Sequence, residues 1–205
     1  MHTDILKQTF VHVASLILLA GLVSSISCGE LPDGGGSGGD DGEGDVTRNA
    51  YPSCYGKAEG ELLENLVFLQ PDETPVSMND FYQDPSNKVM LVSTSASWCG
   101  ACIEEQPALQ AMYDRFGDQG LVVLVALFED AQFNPATPEL AGDWRERYEL
   151  NGVDVVADPD FLFEDYYDAS LTPMNMIVDL STMTIVYIET GWDPSQVEAT
   201  VRSLL

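Results

Sequence analysis

The sequence predicts an α/β domain with a central mixed β-sheet flanked by helices. Residues 88–93 and 121–128 carry continuous apolar runs, which are typical of strands that are covered on both faces. Between them, residues 101–116 place apolar side chains at the spacing of a helix with one buried face. The three segments form a βαβ unit with a right-handed crossover, and a C-terminal hairpin adds antiparallel strands.

The elements on either side of this unit are weaker in pattern. Upstream, residues 61–69 predict an added strand and residues 76–82 a short helix, which together form an N-terminal extension. Downstream, a helix is predicted over 137–150, since Pro138 stands in a first turn, where a missing amide hydrogen is tolerated. A short strand over 153–157 follows that helix.

The C-terminal part of the chain predicts a hairpin and a closing helix. Residues 174–178 and 183–188 are apolar strands joined by the polar segment 179–182. The last helix is predicted over 196–205, directly after a turn that contains Pro194. One domain of this size, from about residue 47 to the end, buries a single hydrophobic core.

Composition excludes several classes of function. The chain of 205 residues has 8 Lys and Arg against 34 Asp and Glu, a formal charge of −26. A surface this acidic repels phosphate, so nucleic acid is not expected as a partner. The two histidines, His2 and His12, both lie in the apolar N-terminal segment. If that segment is removed, the mature protein has no imidazole for Ser-His-Asp or Cys-His catalysis or for a His-ligated metal site.

The N-terminus has the layout of an export signal. Residues 9–27 are apolar as far as Leu22 and then small and polar. The run is shorter than the roughly 20 apolar residues of a membrane-spanning helix. The segment Ser25-Ile26-Ser27-Cys28 resembles a bacterial lipobox. Residues 1–27 are therefore predicted to be a lipoprotein-type signal peptide and Cys28 the lipid anchor; a cleaved soluble form and an uncleaved anchor are the alternatives.

A tether is predicted between the anchor and the domain. Residues 29–46 hold eight Gly and six acidic residues, and such a segment buries too little apolar surface to fold. The predicted organisation is thus lipidated Cys28 and an acidic, Gly-rich tether over 28–57, then a folded domain over 58–205. This places the protein in the bacterial cell envelope, facing the periplasm. Gly29 after the lipidated Cys favours the outer membrane over the inner.

The residues with the clearest chemistry are Cys99 and Cys102, within the segment Trp98-Cys99-Gly100-Ala101-Cys102. They lie where the first central strand turns into its helix. The helix dipole and unpaired amide groups stabilise a thiolate on the first sulfur, and a thiolate attacks disulfides. A zinc site needs four ligands, and no second Cys pair exists. Two buried free cysteines are the remaining alternative.

Three motifs in order resemble the TlpA/ResA-like, redoxin-type branch of thioredoxin-fold thiol–disulfide oxidoreductases. Residues 98–102 match its WCxxC, Glu105-Gln106-Pro107 its Glu-x-Pro, and Thr172-Pro173 its cis-proline position. Residues 60–79 resemble the N-terminal extension of that branch. The resemblance covers roughly residues 58–205 and implies a thioredoxin-like fold.

The resemblance also implies a role for each motif residue. Cys99 is the nucleophile and Cys102 the resolving thiol, and the two form a disulfide when oxidised. Glu105, one helical turn after Cys102, is the acid/base group, with a solvated helix acid as its alternative. Client proteins with disulfides or thiols and a membrane electron donor are the implied partners, and no cofactor is implied. The residues expected to contact a client are Trp98, Gly100, Ala101, Thr172 and Pro173.

One departure concerns proton transfer. Thioredoxin has a buried Asp six residues before its first Cys, and this chain has Ser93 there. Either Glu105 then serves through water, or the proton goes straight to solvent. No Lys, Arg or His adjoins the CxxC, so the pKa of Cys99 is expected to be lowered only modestly, which favours a reductase. A peroxiredoxin-like peroxidase and a copper-binding or adaptor module are the alternative functions.

Two further features have no assigned role in the sequence. Cys54 is predicted to be a buried thiol, an intermolecular bridge or a third redox centre. The segment 158–168 interleaves five acids with four aromatic residues. Its aromatics are predicted to pack one face of a helix, and the alternative is a substrate-facing surface that selects basic or apolar partners.

Overall fold

The protein folds into a mixed seven-stranded sheet with helices on both faces, over residues 50–205, which the computed structural model describes. The strands are β1 (Val67–Leu69), β2 (Pro75–Ser77), β3 (Val89–Ala96), β4 (Leu121–Glu129), β5 (Asp154–Ala157), β6 (Met174–Asp179) and β7 (Thr184–Thr190). The helices are α1 (Met78–Gln83), α2 (Gly100–Phe116), α3 (Pro138–Arg147) and α4 (Pro194–Leu204). The predicted α/β architecture is confirmed.

The sheet has a parallel centre and antiparallel edges. Its strand order is β2-β1-β5-β4-β3-β6-β7. Strands β3, β4 and β5 are parallel, and β6 runs antiparallel to β3, with β7 antiparallel to β6. In the β3–β6 ladder Ser93 lies opposite Asn175. The carboxyl end of β3, where a chain reversal leads into α2, is therefore at the middle of the sheet.

The two faces of the sheet bury separate halves of the core, because successive strand residues point to opposite sides. Helix α1 and the segment after β5 cover one face, where the buried side chains include Met78, Met90, Val92, Leu124, Phe163 and Met176. Helices α2, α3 and α4 cover the other, with Val89, Leu91, Leu109, Val123, Trp144 and Val197. Such continuous burial of β3 and β4 explains their unbroken apolar runs.

The N-terminal extension differs from its prediction. Residues 61–66 are predicted to belong to the added strand, but they precede β1. Within them, Leu62 forms two isolated β-bridges, one to Tyr55 and one to Thr184. The predicted helix over 76–82 begins later, because Ser77 caps α1 and its amide and hydroxyl both donate to Asp80 at 2.7 Å. Residues 75–77 before this cap form β2 and pair with β1.

The aromatic segment 158–168 is not the predicted helix. Phe161 has a positive φ of 49°, a left-handed conformation that interrupts a helix, and the segment contains only a 3₁₀ turn at Glu164–Tyr166. Asp158 accepts the Leu162 amide hydrogen at 2.9 Å. The aromatics consequently point in different directions: Phe163 is fully buried against Phe68 and Tyr166, while Phe161 stacks on Phe128 and Tyr167 contacts Thr94 near the carboxyl end of β3.

Several predictions fall on residues 1–49, outside the described residues: the signal peptide over 1–27, the lipid anchor at Cys28, and most of the tether. Over residues 50–205, no helix is long and apolar enough to cross a membrane. Cys54 is exposed, so its prediction as a buried thiol is wrong.

Candidate redox site

Cys99 and Cys102 form a disulfide at the junction of β3 and α2, with their Cα atoms 5.3 Å apart. Cys99 is the N-cap of α2, and its sulfur accepts the Cys102 amide hydrogen at 3.1 Å. Cys102 is fully buried and Cys99 is 5% exposed, while Gly100 and Ala101 are exposed. The sulfur of Cys99 is thus the one nearer the surface, at the positive end of the α2 dipole.

The loop before β6 lies beside this sulfur. The Thr172-Pro173 peptide bond is cis, and the Thr172 carbonyl oxygen lies 3.8 Å from the Cys99 sulfur. The hydroxyl of Thr94 holds the loop: it accepts the Met174 amide hydrogen at 3.0 Å and donates to the Tyr167 hydroxyl at 3.0 Å. The structure therefore adds Thr94 and Tyr167 to the site. No local sequence pattern identifies them, because their partners are more than 70 residues away.

Glu105 is buried beneath the disulfide rather than solvated, with 2% of its surface exposed. The hydroxyl of Ser93 donates to Glu105 Oε1, and Asn175 Nδ2 donates to Glu105 Oε2 at 3.1 Å. Burial raises the pKa of Glu105 to about 7, and these two hydrogen bonds partly oppose the increase. The alternative of a solvated helix acid is wrong for Glu105, whereas its neighbour Glu104 is exposed.

Trp98 forms one rim of the site. Its indole Nε1 donates to Glu129 Oε2 at 2.8 Å, and 38% of its surface remains exposed. The ring stacks on Phe133 with centroids 5.4 Å apart and meets the edge of Phe128 at 6.1 Å. Phe133 is 65% exposed, so an aromatic pair faces solvent next to Cys99.

The loop after β4 presents Phe133 in a held conformation. Asp130 Oδ1 accepts the amide hydrogens of Gln132 and Asn134 at 2.7 and 2.9 Å. The side chain of Asn134 also donates to Asp130 Oδ2 at 2.9 Å. Phe133 itself has a φ of 63°, which the surrounding hydrogen bonds stabilise. The sequence analysis did not identify Phe133, although Asp130 and Asn134 are residue types that are typical of turns.

The other side of the site is apolar. The disulfide packs with Ala96 and Phe128, and Phe161 stacks on Phe128 at a centroid distance of 4.0 Å. Over residues 50–205, no three His, Cys, Asp or Glu side chains are grouped as metal ligands. A surface-facing sulfur above a buried sulfur and a buried carboxyl is an arrangement for two-electron thiol–disulfide exchange.

Fold and site together define a thioredoxin-like domain with a disulfide between two cysteines at the start of a helix. The chain belongs to the AhpC/TSA family, which residues 61–188 match.

Among curated relatives, hydroperoxy fatty acid reductase gpx1 of Synechocystis sp. is 40% identical over 98 residues, covering 48% of each protein. Thioredoxin H2 of Arabidopsis thaliana is 51% identical over 66 residues, which cover 32% of this chain and 48% of that protein. The chain thus matches about half the length of these relatives. The pneumococcal exposed lipoprotein thioredoxin Etrx1 from Streptococcus pneumoniae has the same fold, with a TM-score of 0.55 and 18% identity over 69% of this chain and 100% of that one.

Proposed function

We propose that this protein is an envelope-anchored thiol–disulfide oxidoreductase that reduces disulfides in client proteins. The observation that carries the proposal is the position of the Cys99 sulfur, at the N-terminus of α2 and 3.8 Å from the Thr172 carbonyl oxygen. A client segment that pairs with the Thr172 backbone brings its own disulfide against this sulfur. Trp98, Gly100, Ala101 and Pro173 then surround the client cysteine.

The reaction proceeds in two exchanges. The Cys99 thiolate attacks one client sulfur, forms a mixed disulfide and releases the other client sulfur as a thiolate. Cys102 then attacks the Cys99 sulfur, which releases the second client thiolate and leaves the Cys99–Cys102 disulfide. Two electrons pass from the cysteine pair to the client. Glu105 takes the proton that Cys102 loses, and an electron donor in the membrane restores the dithiol.

The charges around the pair support the proposed direction of electron flow. Three basic side chains of the described residues form ion pairs away from Cys99: Lys57 with Asp165, and Arg115 and Arg202 with Glu198. The carboxylate of Glu129 instead binds the Trp98 indole beside Cys99. Because no Lys, Arg or His adjoins the CxxC in the sequence, the helix dipole is the main support for the reduced thiolate form, and its limited stabilisation favours a reductant.

A redox titration of the full-length protein tests that direction. The protein is equilibrated in defined thiol/disulfide buffers, its thiols are alkylated, and the Cys99–Cys102 pair is quantified by mass. We expect a potential near that of thioredoxin, about −270 mV. A value near about −120 mV would make the protein an oxidant. If no disulfide forms between Cys99 and Cys102 in any buffer, the oxidoreductase proposal fails.

Anchoring is the part of the proposal that rests on the sequence alone. Cys28 is proposed to carry the lipid, and residues 29–46 to separate the domain from the membrane surface, with the outer membrane favoured by Gly29. In bacteria grown with radiolabelled palmitate, the parent protein should become labelled and the Cys28→Ala variant should not. Equal labelling of both proteins would contradict a lipid anchor at Cys28.

The exposed Trp98–Phe133 pair is proposed to contact apolar residues next to the client cysteine. We expect Phe133→Ala to raise KM for a disulfide-bonded client roughly three- to tenfold with little change in kcat, since an aromatic contact contributes about 0.5–1.5 kcal/mol. The matched control is Val67→Ala, which removes another exposed apolar side chain, on β1, three strands away from β3. An equal change in both variants would argue against the contact.

A thiol peroxidase is the second candidate, because a hydroperoxide reductase is among the relatives. A peroxiredoxin-like pattern expects a Pro and a Thr before the reactive Cys, and here Thr94 stands five residues ahead of Cys99 without that Pro. Peroxide consumption with a thiol donor separates the two functions. The reductase proposal expects no more consumption of hydrogen peroxide or a lipid hydroperoxide than the Cys99→Ser variant shows.

A further inference from the structure

A buried cluster of three side chains, which we name the acid cluster, lies between the sheet and α2: Ser93, Glu105 and Asn175. Ser93 and Asn175 face each other across the β3–β6 ladder, and both are fully buried. Both point to the face that α2 covers, because each contacts the Glu105 carboxyl group. Two central strands thus supply one hydrogen-bond donor to each carboxylate oxygen.

The partners of Glu105 favour its charged form. Each donates a hydrogen to the carboxylate and neither carries a charge, so they stabilise the anion without neutralising it. These two groups, from β3 and β6, are the ones that oppose the effect of burial on Glu105. Without them a carboxylate in this position would bear the full desolvation cost, and the pKa of Glu105 would be higher still.

The cluster is adjacent to the resolving cysteine. Cys102 precedes Glu105 by one helical turn, so both side chains lie on the buried face of α2. The Cys102 sulfur lies 3.9 Å from the Thr94 carbonyl oxygen, and Glu105 is bonded to Ser93, the preceding residue of the same strand. The sulfur and the carboxylate therefore contact consecutive residues of β3.

Asn175 also connects the cluster to the loop beside Cys99. Its Nδ2 donates a second hydrogen bond, at 2.8 Å, to the Gly191 carbonyl oxygen. The Gly191 amide in turn donates to the Pro173 carbonyl oxygen at 2.8 Å. Since both amide hydrogens of Asn175 are engaged, its side chain has a fixed orientation with respect to Glu105.

We propose that Ser93 and Asn175 are positioning residues that hold Glu105 as a carboxylate next to Cys102. This inference rests on the proposed function and names the residues that prepare its proton acceptor. In the resolving step the Cys102 S–H bond breaks, its proton passes to Glu105, and its sulfur bonds to the Cys99 sulfur. The client sulfur leaves with the electron pair of the mixed disulfide bond. Ser93 thus occupies the position of thioredoxin's buried Asp but does not take the proton itself. It holds the group that does, Glu105.

The test compares Ser93→Ala and Asn175→Ala with the parent in the full-length protein. The first readout is a carbon-13 NMR titration of the Glu105 carboxyl group, assigned with Glu105→Gln, which needs no client. We expect each variant to raise the Glu105 midpoint by about one pH unit, because a hydrogen bond to a charged group is lost. The second readout, the acid limb of client-disulfide reduction against pH, should move upward in parallel.

The matched control is Ser95→Ala. Ser95 is buried on the same strand, and its hydroxyl has no hydrogen-bond partner in residues 50–205, so its removal should leave the titration and the acid limb unchanged. In a Glu105→Gln background, the component of the acid limb that follows Glu105 should be absent, leaving the limb set by ionisation of Cys99, and Ser93→Ala should cause no further pH shift. Should Asn175→Ala fail to fold, Ser93→Ala, which removes a single oxygen atom, carries the test.

Three outcomes overturn different statements. Titrations of Ser93→Ala and Asn175→Ala that match the parent would overturn the positioning role. A shifted titration with an unshifted acid limb would overturn Glu105 as the acceptor that these residues prepare. A parent protein that shows the expected titration but reduces no client disulfide would overturn the proposed function instead, while the placement of the carboxylate by Ser93 and Asn175 would stand.

Discussion

Replacing Cys99 by Ser is expected to lower client-disulfide reduction to the uncatalysed rate, the largest loss of activity for a single change in this protein. A serine hydroxyl is not ionised at neutral pH, and Cys102 is fully buried and cannot reach a client. Cys102→Ser should behave differently, because Cys99 still attacks but no second thiol releases the client. A covalent Cys99–client species should then accumulate, detectable by mass under non-reducing conditions.

The control is Cys54→Ser, which makes the same chemical change at an exposed position in the N-terminal segment. This variant should retain the reduction rate of the parent. If Cys102→Ser accumulated no mixed disulfide while Cys99→Ser did, the roles of the two cysteines would be reversed. Equal losses for all three variants would indicate that the chemistry is not specific to the pair at α2.

Phe163→Ala is expected to cause the largest loss of stability, about 3–5 kcal/mol in the free energy of unfolding. The side chain is fully buried, stacks on Phe68 with centroids 5.5 Å apart and meets the Tyr166 ring at 5.6 Å. Its loss leaves a cavity beneath the segment that covers one face of the sheet. Urea unfolding of the full-length chain, followed by intrinsic fluorescence, measures the change.

Phe133→Ala is the matched control, since the same side chain is truncated at a site that is 65% exposed. We expect a change in unfolding free energy within about 0.5 kcal/mol, as for most surface substitutions. The two variants should therefore affect different properties: Phe163→Ala lowers stability, and Phe133→Ala lowers affinity for the client. A loss below about 1 kcal/mol for Phe163→Ala would mean that the 158–168 segment does not close this face.

The central elements of the fold could be predicted because their signals are local. The apolar runs of β3 and β4 and the helical period between them depend only on neighbouring residues and on burial from both faces. The short β2 strand could not be predicted, because three residues are too few to show a period. The turns of 158–168 could not be predicted either, because a single left-handed residue, Phe161, interrupts an apparently helical pattern.

The same distinction holds at the site. The sequence by itself determined the CxxC at a helix start, a short string whose chemistry depends on its own residues, and the order of motifs in the family resemblance identified Thr172-Pro173. Only the tertiary structure decided that Glu105 is buried and bonded to Ser93 and Asn175, residues 82 positions apart that the β3–β6 register places opposite each other. It also decided that Phe133 lies on Trp98. Cross-strand register and loop placement depend on the whole core, so no local pattern encodes them.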